Sequence, residues 1–201
     1  MTPVKRLFDL TCAIFLTILL APVIVFVMFL ILVLDGRPVF YISERMKTPI
    51  QGFDLIKFRT MTPVVGDSGP SGGDKSARIT KTGAFLRRTR LDEVPQLYNV
   101  FRGDISFVGP RPPLRHYVER FPELYTSVLK SRPGITGLAS IYFHAHEERL
   151  LARTTSSAET DAIYSRACVP RKARLDLIYQ KNRNLCMDLM LMFKTVFKSL
   201  R

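Results

Sequence analysis

Between Leu10 and Leu34 the chain carries no charged side chain, an apolar run of 25 residues. That much helix crosses a hydrocarbon core of about 30 Å. The run is too long for a signal peptide, and no small-x-small cleavage site follows it. Pro22 sits in its middle. A proline there lacks the N–H donor and crowds the carbonyl of Ile18, so the helix is expected to break or kink. Thr17 is placed to help satisfy the carbonyls set free. Cations flank the run on both sides: Lys5 and Arg6 before it, Arg37, Arg45, Lys47, Lys57 and Arg59 after it. Positive flanks stay in the cytoplasm. A single span satisfies one flank only, whereas a re-entrant helix–break–helix satisfies both. The expectation is a monotopic anchor at 1–35 and a cytosolic domain at 36–201.

Beyond the anchor the pattern is mixed. Pro38–Ile42 and Phe53–Phe58 are β-branched and aromatic and read as strands, with Gly52 between them. Val65–Ser76, rich in Gly and Pro, reads as a loop that is either a passive linker or a mobile segment beside a site. Helices are expected at 82–90 and 89–101, the second with Thr89 as N-cap and Asp92 at its capping-box position. Gly103-Asp104 marks a turn, and Gly109-Pro110-Arg111-Pro112-Pro113 a stiff extended segment. Further helices are expected at 115–130, 144–153 and 158–166. Leu185–Leu200 repeats its apolar residues at helical spacing, as either a core helix or an interfacial one, with membrane contact favoured. The fold class is α+β, mainly helical: short strands within a globular domain carrying amphipathic interfacial helices.

Thirty Lys and Arg stand against 17 Asp and Glu, a formal charge of +13. The excess favours an anionic partner: nucleic acid, an acidic membrane or a phosphorylated substrate. Cys12, Cys168 and Cys186 form no C-x-x-C pair, which speaks against zinc and redox motifs and fits a reducing compartment.

Asp92-Glu93 is the candidate for chemistry. Its plain alternative is a helix N-terminus, where acidic residues stabilise the macrodipole by about 0.3–1 kcal/mol. Lys57, Arg59, Arg87, Arg88 and Arg90 precede the pair, and Arg102, Arg111 and Arg132 follow it. Folded inward, several of these would make a diphosphate pocket: arginine grips phosphate oxygens with two donors, lysine as a point charge. A carboxylate in such a pocket can attack phosphorus to give an acyl phosphate, and magnesium would offset the repulsion between carboxylate and phosphates.

Arg6 with Asp9, Lys57-Phe58-Arg59-Thr60-Met61, the run from Leu91 to Val100, the run from Gly103 to Pro112 and the run from Arg132 to Ala139 together resemble the bacterial sugar transferases. More narrowly, they are similar to the small monotopic polyprenyl-phosphate phosphoglycosyl transferases. The resemblance covers nearly the whole chain in the family's order. It implies transfer of a phosphosugar from a nucleotide-diphosphate sugar, usually a UDP-sugar, to undecaprenyl phosphate. UMP leaves, and Asp92 carries the covalent intermediate. It implies magnesium as cofactor, held by Asp92, Glu93 and Asp188, with Glu93 as the partner for metal or proton. Arg111 would help hold nucleotide or phosphate. It also implies the cytoplasmic face of a bacterial inner membrane, a first step in glycoconjugate or exopolysaccharide synthesis, and a helix broken at Pro22.

The chain departs from the family's pattern in two places. Ala21 stands where serine commonly precedes the breaking proline. The segment Ser140–Glu148 lacks an arginine expected for a phosphate contact. His144, His146 and Glu147 could be read as metal ligands, with a polar helix start as the favoured alternative. Two rival functions fit the charge alone: a non-catalytic basic membrane scaffold, and a nucleic-acid binder. No nucleic-acid motif supports the latter.

Overall fold

The computed structural model describes residues 1–64 and 72–199. Helix α1 runs from Pro3 to Leu34; Thr2 caps it, accepting a hydrogen bond from Lys5 N. It is long and apolar enough to cross a membrane. The helical run continues through Pro22. The expected two-segment element is therefore one hydrogen-bonded helix in which the proline leaves a missing donor, not a gap. Thr17 does not take up the slack: its hydroxyl is buried without a partner.

Both ends of α1 are fastened to the rest of the chain. Near its start, Arg6 donates to the carbonyls of Val100 (2.6 Å) and Phe101 (2.8 Å). Just past its end, Arg59 donates to the carbonyls of Asp35 (2.6 Å) and Gly36 (2.8 Å). Ala13 packs with Leu97, Val100 and Ile105, and Val27 and Ile31 pack with Phe58 and Leu86. The outward face, from Ile14 and Phe15 to Phe29 and Val33, is exposed.

Strands β1 (Phe40–Met46) and β2 (Gly52–Phe58) form an antiparallel hairpin in the register Phe40↔Phe58 to Met46↔Gly52. The first strand starts and ends later than the apolar pattern predicts, because Arg45 and Met46 extend the ladder. Part of the expected loop, 65–71, lies outside the described residues, and Gly73–Arg78 is a short 3-10 helix. Helix α2 (Lys81–Thr89) is capped by Thr80, whose hydroxyl accepts from Gly83 N.

The expected helix at 89–101 is not one element. A 3-10 turn covers Leu91–Gln96, and α3 covers Leu97–Arg102. Thr89 does not cap it; its hydroxyl bonds back to the carbonyls of Phe85 and Leu86. Arg90 instead turns the chain with a left-handed backbone (φ 57°), and Pro95, lacking N–H, delays α-helical hydrogen bonding until after it.

Strands β3 (Ser106–Val108) and β4 (Gly134–Thr136) pair in parallel. The two Gly-Pro-flanked motifs are thereby brought backbone to backbone: a Cβ on Gly134 would stand 2.2 Å from Gly109 N. Between them, the helix expected at 115–130 is split into α4 (Arg115–Arg120) and α5 (Pro122–Val128), since Pro122 can begin a helix but not continue one. Then follow α6 (Leu138–Tyr142), α7 (His144–Leu151) and α8 (Ser157–Ile163). A π-turn at Tyr164–Cys168 leads into α9 (Val169–Asn182), a helix the apolar pattern did not announce. Helix α10 (Leu185–Ser199) closes the chain. One face carries Leu191 into the core, while Phe193, Val196 and Phe197 on the other are exposed. All three cysteines are free thiols.

Candidate active site

The site is assembled on β2. Its period of two puts Phe53, Leu55 and Lys57 on one face; the first two enter the core, and Lys57 continues the row toward the 3-10 turn. Asn99 of α3 fastens that turn to the strand. Its side chain accepts from Ile56 N (3.1 Å) and donates to Asp54 O (2.7 Å), completing the edge of β2 as a neighbouring strand would.

The turn presents Glu93 inward. Its Oε1 accepts from Lys57 Nζ (2.8 Å) and from Arg111 Nη2 (3.0 Å). Arg90 Nη1 stands 3.6 Å from its Oε2. Burial alone would raise the Glu93 carboxyl, but Lys57, Arg111 and Arg90 outweigh it and hold it far below the usual range. Lys57 is so enclosed that burial pushes it down despite Glu93. The guanidinium of Arg111, whose charge is permanent, is therefore the partner that secures the Glu93 charge. Arg111 remains 38% exposed, open to an incoming anion.

Asp92 differs from its neighbour. Its side chain makes no hydrogen bond or ion pair among the described residues. Burial and the Glu93 charge push its carboxyl up, against the pull of Lys57, Arg111 and Arg87. It is a half-buried carboxylate with a free face, surrounded by cations that do not touch it. Arg87 is aimed by Thr60, whose hydroxyl accepts from its Nε at 2.9 Å. A polar crevice beside the cluster is lined by Arg45, Lys57, Gln96, Arg111 and Gly134.

The structure brings Asp92, Glu93, Lys57, Arg87 and Arg111, all expected at the site, to one place. Four other expected site residues sit elsewhere. Arg59 closes the end of α1, its Nη donors spent on carbonyls while its Nε is buried without a partner. Arg88 is exposed and lies over the Phe85 ring. Arg132 stands beside Gly103 and Arg6. Asp188 is buried under the start of α1, paired with Lys5 and accepting from the Tyr179 hydroxyl. Arg90, one of the cations expected to fold inward, does reach Glu93; Arg45 was missed, since charge alone could not separate it from two dozen others.

Among the described residues no three His, Cys, Asp or Glu side chains converge to hold a metal. Asp188 is apart, and the oxygens of Glu93 are taken by cations. Nor do His144, His146 and Glu147 form a site: His144 faces Glu148 and Glu147 is bound by Lys172, while α7 starts at His144 as a polar helix start should. Magnesium, however, usually takes one or two carboxylates together with substrate phosphates, not a protein cage. The unpartnered carboxylate of Asp92 fits that mode.

Comparison with known proteins places this chain in a family. The family model for bacterial sugar transferases matches residues 1–201. An uncharacterized sugar transferase, EpsL, of Bacillus subtilis (strain 168) is 37% identical over 98% of this chain and 87% of its own length. The exopolysaccharide production protein ExoY of Sinorhizobium fredii is 34% identical over 96% of this chain and 83% of its own. A UDP-glucose:undecaprenyl-phosphate glucose-1-phosphate transferase of Klebsiella pneumoniae is 32% identical over 96% of this chain but only 39% of its own length. A family match along its entire length, around a carboxylate pair ringed by cations, means that this chain belongs to the bacterial sugar transferases.

Proposed function

We propose that the chain transfers a phosphosugar from a UDP-sugar to undecaprenyl phosphate at a membrane surface, releasing UMP, with Asp92 as nucleophile. The observation that carries this is the contrast within the acidic pair. Glu93 is locked by three cations, while Asp92 keeps a free carboxylate in the same positive field.

In the first half-reaction an Asp92 oxygen attacks the phosphorus that bears the sugar. The bond from that phosphorus to the bridging oxygen breaks, and UMP departs with the bridging oxygen. In the second, an oxygen of undecaprenyl phosphate attacks the same phosphorus and Asp92 leaves as carboxylate, so no net proton is consumed at the aspartate. Arg111, partly exposed, and Arg87 lie where they can stabilise charge on the phosphate oxygens. Glu93 keeps Lys57 and Arg111 in place. A magnesium ion bound by Asp92 and the diphosphate would neutralise phosphate charge and orient the donor.

The membrane placement is part of the proposal. A straight helix of 32 residues is about 48 Å long, yet both ends of α1 are held by the same globular body. This supports entry and exit on one face, bending at Pro22, with residues 1–35 as anchor and 36–201 on the cytoplasmic side of the bacterial inner membrane. In such a pathway the reaction would load the lipid carrier.

The test is to incubate the full chain with undecaprenyl phosphate, magnesium and a panel of UDP-sugars and to assay UMP. Wild type should release UMP with at least one donor and Asp92→Asn with none. Full turnover by Asp92→Asn would remove Asp92 as nucleophile. The rival of a non-catalytic scaffold predicts that wild type releases none.

A further inference from the structure

Arg6 and Arg132 are separated by 126 positions in the chain but converge on Gly103. The point where a Gly103 Cβ would stand is 3.2 Å from Arg132 Nη1 and 3.4 Å from Arg6 Nη2. Gly103 ends α3 with φ +76°, a conformation that favours glycine, and the missing side chain leaves room for both guanidiniums. Arg6 is held there by the last carbonyls of α3. Arg132 makes no hydrogen bond or ion pair among the described residues. Lys47 and Arg102 flank the cradle, each 3.4 Å from Asp104. Asp9 and Asp104 are the carboxylates that draw on the Arg132 charge, whereas the cations of the other cluster, Lys57, Arg90 and Arg111, stand on Glu93.

The two guanidiniums repel each other, and burial together with Arg6 outweighs Asp9 and Asp104 and makes the Arg132 charge harder to hold, which a bound anion would relieve. The cradle also lies at a particular depth. Arg6 precedes the charge-free run by four residues, Val4 and Leu7 beside it are 62% and 67% exposed, and Tyr98 and Phe101 are exposed on the adjoining helix. Cations at the margin of an exposed apolar surface match the headgroup layer.

We propose that Arg6 and Arg132, joined across Gly103, bind the phosphate of an anionic phospholipid headgroup, at a site separate from the Asp92 centre. This rests on the membrane-bound reading above. Bidentate arginine geometry suits a phosphodiester, and the site fixes how deep the start of α1 sits.

The full chain in neutral detergent is scanned for thermal stability with added phosphatidylglycerol, phosphatidylcholine or inorganic phosphate. Phosphatidylglycerol should raise the midpoint in a concentration-dependent way and phosphatidylcholine should not. Arg132→Gln should weaken the apparent affinity about tenfold, which is ~1.4 kcal/mol, whereas Arg88→Gln should leave it unchanged. Gly103→Asn, which tolerates the left-handed backbone but fills the cradle, should also abolish the shift and serves if Arg132→Gln does not fold. Asp92→Asn should keep the shift while losing turnover, which separates failure of the headgroup site from failure of the transferase reading. A shift with inorganic phosphate and none with phosphatidylglycerol overturns the lipid source. A shift that survives both cradle variants, or no shift with any anion, overturns the site.

Discussion

Asp92 and Glu93 are adjacent and chemically identical in kind, yet the fold gives them opposite surroundings. Glu93 neutralises Lys57, Arg90 and Arg111; Asp92 faces the space that remains. Lys57→Met should therefore lower turnover on the order of 10²-fold while the circular-dichroism spectrum stays native, because it removes charge from the site and leaves Arg111 and Arg90 on Glu93. Arg59→Gln should behave in the opposite way. Its donors close the end of α1, so its loss should cost roughly 1–3 kcal/mol of stability, read as a lower melting temperature, with turnover per folded molecule little changed. The motif Lys57-Phe58-Arg59-Thr60 thus splits by direction: Lys57 faces Glu93, Phe58 the core, Arg59 the end of α1, and Thr60 aims Arg87.

At the scale of elements, the segments with strong local signals stand where the pattern puts them, β2, α2, α7 and α10, with β1 displaced a few residues toward its C-terminal end. The misses have local causes. Thr89 reads as an N-cap, but its hydroxyl bonds backward and Arg90 reverses the chain. Helix α9 escaped notice because its buried positions, Val169, Ala173, Asp176 and Tyr179, are at helical spacing but include small and polar residues. Asp176 makes this helix pH-sensitive. Burial raises its carboxyl to about 7, against the pull of Lys172. Its folded value thus lies above its unfolded value, so its contribution is full below pH ~4 and is lost as pH rises toward 7. The melting temperature should fall between pH 5 and pH 8, and Asp176→Asn should flatten that fall and raise the midpoint at pH 8. The parallel pair β3/β4 is less forgiving. Gly134→Ala would press a Cβ against the backbone of Val108 and Gly109, costing at least ~1–3 kcal/mol, visible as a lower melting temperature at every pH.

At the scale of the whole molecule, α1 is long and apolar enough to cross a membrane and is also a core element. Ala13 belongs to the same buried cluster as Val100 and Leu191, and Ile31 to that of Phe58 and Leu86. A chain lacking 1–35 should therefore lose cooperative thermal unfolding, where a merely tethered domain would keep it. A tag at residue 1 should be protected from protease added outside intact spheroplasts; cleavage there would sink the re-entrant topology.

Local chemistry along the chain was enough to determine a long apolar helix with cationic flanks, a hairpin of short strands, and an acidic pair amid arginines, because each depends on neighbours within a few residues. Its ordered motifs also marked the family. Which arginines serve the acidic pair was not legible, because Arg59, Arg88, Arg111 and Arg132 look alike in composition and differ only in where the backbone sends them. Tertiary structure decided that Arg111 meets Glu93, that Arg59 and Arg6 hold the two ends of α1, and that Asp188 pairs with Lys5 instead of joining Asp92. Charge acts across space, and only the folded chain says which charges are near.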